Sequence, residues 1–95
     1  MLRHIAWLRF KDGVTDERIE EHLSACRAVV GRVPAVLDVE CGPNLSDRAG
    51  DLTHCIIVSL RDYDALAELE HPLYVPVAEA LLADVAEIRV MDVQV

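Results

Sequence analysis

Apolar and polar positions along the chain follow two periods, and the order in which those periods alternate predicts the elements. Residues 2 to 10 divide into Leu2, His4, Ala6, Leu8 and Phe10 on one face and Arg3, Ile5, Trp7 and Arg9 on the other. That is the two-residue period of a β-strand. Large apolar groups stand in both sets, so this strand is expected to be covered on both sides, or on its second side by another subunit. Lys11-Asp12-Gly13 supplies the turn. Thr15 then offers a helix N-cap, with Asp16 and Glu17 in the first turn where carboxylates suit the helix dipole. Ile19, Leu23, Cys26 and Val30 recur at helical spacing as the apolar stripe, Glu20, Glu21 and Arg27 point away, and Gly31 and Pro34 end the element.

The second half repeats the alternation. Val36 to Cys41 reads as a strand with Leu37, Val39 and Cys41 on one face and Asp38 and Glu40 on the other. Gly42 to Leu52, holding two glycines and a proline, is the one substantial loop. Thr53 to Leu60 is rich in β-branched residues and is the clearest strand, with His54 its strongly polar intruder. Asp62 caps a short helix running to Glu70, buried through Ala65, Leu66 and Leu69, and His71-Pro72 breaks it. A further helix is expected over Val75 to Val85, with Pro76 tolerated in its first turn and Ala78, Leu81, Leu82 and Val85 as its buried side. Glu87 to Val95 closes the chain as a strand with Ile88, Val90 and Asp92 on one face and Arg89, Met91 and Val93 on the other.

This order, β-α-β-β-α-β with one extra short helix, is the split βαβ arrangement of a ferredoxin-like α+β fold with an antiparallel four-stranded sheet. Its helices can cover only one face of the sheet. Ile5, Trp7, Ile57, Met91 and Val93 would be left on the other, an apolar patch large enough to demand a partner. Two copies packed face to face across a two-fold axis bury it, so a homodimer is expected, forming a dimeric α+β barrel. Trp7, the only tryptophan, is the natural anchor of that interface.

Composition narrows the function. Ninety-five residues fit one domain, 1–95, and a core that a partner would enlarge. Seventeen Asp and Glu against nine Lys and Arg give a formal charge of −8, which argues against a nucleic-acid partner because phosphate binding needs clustered cations. No apolar run approaches the roughly 18 to 20 residues needed to span a bilayer, so no membrane partner is expected. Charged residues interrupt the N-terminus, which does not read as a signal peptide. Cys26, Cys41 and Cys55 are odd in number and form no CxxC unit. Reduced thiols packed as small hydrophobes in a cytoplasmic protein are the economical reading. No phosphate-cradling glycine loop or G-x-S-x-G elbow is present, so neither a nucleotide cofactor nor serine hydrolysis is expected.

Four segments in this order resemble the stress-responsive A/B barrel (Dabb) family: the opening LRHIAWLRFKDGV, the turn GPNLSDRAGDLTH, the stretch LEHPLYVPVAEALL and the closing RVMDVQV. The resemblance runs along nearly the whole chain and implies a dimeric α+β barrel. Members include a plant enzyme that closes a polyketide chain by aldol condensation, so the resemblance implies fold more strongly than reaction. Carried across by motif, the cyclase's strand-1 histidine falls on His4, the histidine after its large loop on His54 and its last-strand aspartate on Asp92. Its base histidine, however, is Tyr74 here and its tyrosine is Glu68, so the cyclase activity itself is not carried over.

His4 and His54 share a parity with the apolar positions of their strands. Both are expected to face the helix-covered interior, across a cavity from one another, as acid, base or hydrogen-bond donor. The alternative is that each satisfies a partner in the core. Tyr74 with Asp92 forms a candidate pair in which the phenol donates to a developing oxyanion and the carboxylate orients it. Against this stands Tyr74 as a lid and Asp92 as a turn cap. Glu68 reads as part of a solvated helix face, and His22 and His71 as structural or surface residues. No two of the four histidines stand at i,i+4 on a helix face, so no metal or other cofactor is expected. The readings that follow are a cofactor-free cyclase- or lyase-type enzyme on a carbonyl or aromatic small molecule, a non-catalytic stress or binding protein, and a cofactor-independent monooxygenase or isomerase.

Overall fold

A computed structural model describes all 95 residues. The strands are β1 (Leu2–Phe10), β2 (Asp38–Pro43), β3 (His54–Leu60) and β4 (Val85–Gln94). Helix α1 (Asp16–Arg27) follows β1, and a 3-10 segment (Tyr63–Leu69) and helix α2 (Val75–Ala83) lie between β3 and β4. All strand pairings are antiparallel and the sheet order is β2-β3-β1-β4, so β1 and β3 are central while β2 and β4 are edges. This is a ferredoxin-like α+β fold, as the alternation of periods predicts. No helix is long and apolar enough to cross a membrane.

The expected caps form. Thr15 Oγ1 accepts a hydrogen bond from the Arg18 amide at 3.1 Å, and Asp62 accepts from the Ala65 amide at 3.1 Å. The register places Leu2, Leu8, Ile56, Val58 and Leu60 on the helix-covered face, where they meet Leu23, Cys26 and Leu81 in the core. The opposite face carries Ile5 beside Ile57 and Met91, Arg3 beside Val93, and Trp7 beside Cys55 and Arg89. No helix covers it, and Trp7 and Met91 are 36% and 47% exposed.

The element ends differ from the sequence reading in informative ways. Helix α1 stops at Arg27: beyond the Ala28 C-cap the i→i−4 ladder gives way to tighter turns, the Val29 and Val30 amides donating to the Cys26 and Arg27 carbonyls at 3.3 Å. The stripe therefore loses its register, and Val29 (4% exposed) enters the core in place of Val30 (40%). Leu37, expected beside Val39, precedes the first residue of β2 and is half exposed. Strand β2 runs on through Gly42 and Pro43, which composition assigned to the loop. An edge strand tolerates a proline because a missing amide can face outward. Val85, expected on the buried side of α2, is the first residue of β4. There the register slips between Arg9 and Phe10, leaving Ala86 as the extra residue of a bulge.

Candidate active site

Helix α2 packs chiefly against α1 and approaches the sheet less closely. The gap between them is a cavity of about 380 Å³, within the range typical of small-molecule sites. Fifteen residues line it and fourteen are hydrophobic. The sheet supplies Ala6, Ile56 and Val58, α1 supplies Cys26, and α2 supplies Val77, Ala78 and Leu81. Its mouth lies toward the β4 edge, where Leu82, Ile88 and Val90 remain partly exposed.

His4 is the one lining residue outside the hydrophobic set. The β1–β4 register sets it directly opposite Asp92, and its Nδ1 lies 2.6 Å from Asp92 Oδ1. Both side chains are about three-quarters covered. A carboxylate accepts only, so in the neutral imidazole Nδ1 carries the proton donated to Asp92, and Nε2 keeps its lone pair. The pair is thus a base held in one tautomer by an acid partner from a neighbouring strand.

Tyr74, immediately before α2, lines the same cavity. Burial, with the nearby Cys26 thiol, pushes its phenol above the ordinary tyrosine range, so at neutral pH it is a hydrogen-bond donor and not a base. Burial likewise pushes the Cys26 thiol up to about 11, which leaves it a protonated wall group.

Two expectations about this site are corrected. His54 does not lie across the cavity from His4. His4 pairs with Val58 and Leu8 pairs with His54, a separation of four residues along β1, or about 13 Å. His54 instead meets the Phe10 ring edge-on, 5.3 Å between centroids, and its Nδ1 lies 2.8 Å from Thr53 Oγ1. It borders a separate recess of about 660 Å³ under the β2–β3 loop, together with Trp7, Asn44 and Arg48. Burial lowers its pKa, with Asp16 acting weakly the other way. The second correction concerns Asp92, whose partner is His4 and not Tyr74.

Glu68 is exposed and lies 3.6 Å from Arg61, on the solvated face expected of it. His71 Nδ1 accepts from the Leu73 amide at 3.0 Å within its turn. No three His, Cys, Asp or Glu side chains converge as metal ligands. His22, read as structural or surface, is buried: its ring stacks on Phe10 and its Nε2 lies 2.6 Å from Asp84 Oδ2. Its helical position beside Leu23 was the available signal, whereas Asp84 is too distant in sequence to have been paired with it.

The sheet with one helix-covered face and an apolar cavity open at the β4 edge defines the class, a ferredoxin-like α+β protein with a small-molecule-sized cavity. Residues 2–95 match the family model described as "Stress responsive A/B Barrel Domain". The chain belongs to that family. An uncharacterized protein of Streptomyces coelicolor is 34% identical over 77 residues, covering 78% of this chain and 79% of that one. Among solved structures, the hydroxynitrile lyase of Passiflora edulis superposes with a TM-score of 0.90 at 19% identity, covering 99% of this chain and 92% of that chain. A dimeric ferredoxin-like protein of unknown function from Thermobifida fusca superposes with a TM-score of 0.83 at 22% identity, covering 99% and 90%.

Proposed function

We propose that the protein is a homodimeric, cofactor-free lyase-type enzyme acting on a small neutral carbonyl or aromatic compound held between sheet and helices. The observation that carries this reading is the His4–Asp92 pair, 2.6 Å apart, bordering a cavity whose other lining groups are hydrophobic. No lysine or arginine lines the cavity and the charge of a protonated His4 is balanced by Asp92, so a buried carboxylate or phosphate on the ligand would find no free countercharge and would cost several kcal/mol. The ligand is therefore uncharged, with one hydrogen-bonding head toward His4 and an apolar remainder against α2. His4 Nε2 takes the hydroxyl proton as the bond from the carbinol carbon to its leaving carbon breaks and the C–O bond becomes a carbonyl; Asp92 stabilises the imidazolium, which returns that proton to the leaving group, and Tyr74 donates to the oxygen while it carries charge. The superposable hydroxynitrile lyase supports this class of reaction on the fold.

The dimer rests on the open sheet face and on the dimeric state of the Thermobifida fusca protein. The test is a panel of aromatic aldehydes, ketones and hydroxynitriles with their carboxylate counterparts, assayed for binding and turnover. Binding and turnover of neutral members, lost in His4→Ala, is the expected result. A preference for the carboxylates would sink the reading. Non-catalytic carriage of the same neutral ligand is the second reading, favoured by the hydrophobic character of the remaining wall. It predicts binding that survives His4→Ala with no turnover in either protein.

A further inference from the structure

Outside the cavity, a second set of charged side chains gathers at the C-terminal end of α2. Asp84 is the residue between α2 and β4 and the C-cap of the helix. Its Oδ2 accepts from Arg18 Nε at 3.0 Å and lies 2.6 Å from His22 Nε2. Both partners come from α1, and His22 is 4% exposed, its ring held parallel to Phe10 with centroids 6.0 Å apart. The backbone is tied at the same place: the Lys11 amide donates to the Asp84 carbonyl at 2.8 Å, and Lys11 Nζ donates to the Ala83 carbonyl at 2.9 Å. The other end of α2 is held by the packing of Tyr74 and Val77 and by backbone bonds to the His71 carbonyl, with no ion pair. Tyr74 makes no side-chain capping bond, and the first turn contains Pro76.

This asymmetry matters because α2 is the wall that stands away from the sheet. With cavity beneath part of it, α2 has less packing to fix it than most helices, chiefly Leu81 and Val77, so its position depends more on what holds its ends. We infer that Asp84, with His22 and Arg18, is a positioning cluster that clamps the C-terminal end of α2 and so sets the width of the cavity and how long it retains a ligand. Ligand then enters and leaves through the mouth at the β4 edge, whose width is set by how firmly the neighbouring Leu82 end of α2 is held.

The importance of that wall for a ligand rests on the cavity being the binding site, but the clamp itself does not. Two measurements separate them. Amide hydrogen exchange of the ligand-free protein reads the clamp directly. Asp84→Ala is expected to raise exchange across residues 75–83 at least tenfold while β1 and β3 keep their protection. Arg18→Gln, which leaves the buried His22–Asp84 contact in place, is expected to give a smaller change confined to the same residues. If Asp84→Ala does not fold, the Arg18→Gln result decides. Stopped-flow release of the neutral fluorophore N-phenyl-1-naphthylamine reads the consequence, with a dissociation rate several-fold faster in the clamp variants. Unchanged exchange over 75–83, or an increase spread evenly over sheet and helices, would overturn the clamp. Loss of α2 protection with an unaltered release rate would overturn the cavity as the fluorophore's site and leave the clamp standing.

Discussion

At the scale of single residues, the His4–Asp92 pair makes a prediction that separates chemistry from packing. Under the proposed mechanism, His4→Ala lowers turnover about 10²- to 10⁴-fold, the usual contribution of a positioned base. Asp92→Asn leaves a hydrogen-bonding group opposite Nδ1 but can reverse the tautomer. Turnover is then expected to fall with little change in ligand affinity, a split that steady-state kinetics reads directly. The cysteines give a second test. Burial raises Cys26 to about 11 and raises Cys41 and Cys55 as well. Alkylation of the native protein at pH 8 is therefore expected to be slow at Cys26 and rapid at all three sites in denaturant, followed by mass spectrometry. Which residues share a strand face was readable from parity alone, and this put His4 and Asp92 on the cavity side. Their pairing was not readable, because it depends on the β1–β4 register. The β1–β3 register likewise carries His54 away from His4 toward the other end of the sheet.

At the scale of elements, the shortened α1 exposes a difference that sequence periodicity missed. Val29→Ala removes two buried methyl groups and is expected to cost about 2 kcal/mol by chemical denaturation. Val30→Ala, at a position 40% exposed, should stay within about 0.5 kcal/mol. The period of a stripe finds the buried face of a helix but not the residue at which the helix stops. Here that point is set by the turn through Ala28. The clamp on α2 has a pH consequence. His22 and Arg18 hold the Asp84 carboxyl below the ordinary carboxylate range, with Lys11 on the adjoining backbone. A carboxyl whose folded pKa is depressed stabilises the fold above its unfolded value, near 4. That contribution is lost as pH falls through the lower folded value. Loss of α2 protection in acid is thus expected below about pH 4, and Asp84→Asn should flatten this dependence while leaving the neutral-pH sheet intact.

At the scale of the whole molecule, the helices cover one face of the sheet and leave Ile5, Trp7, Ile57 and Met91 on the other. If two copies bury this face, light scattering at micromolar concentration gives twice the chain mass, and Trp7→Arg with Met91→Lys gives a monomer of lower stability. A wild-type monomer under the same conditions would contradict the dimer. The order of the elements and the two-sided character of β1 followed from the sequence by itself, because side-chain periodicity is a local property that each segment carries along its own length. So did the sheet's need for cover on its second face. Only the tertiary structure decided that α2 stands off the sheet, that the space beneath it is a cavity bordered by His4 with Asp92, and that His22 is buried against Asp84. Each of these depends on the register and distance between segments more than fifty residues apart, and no local period encodes such a distance.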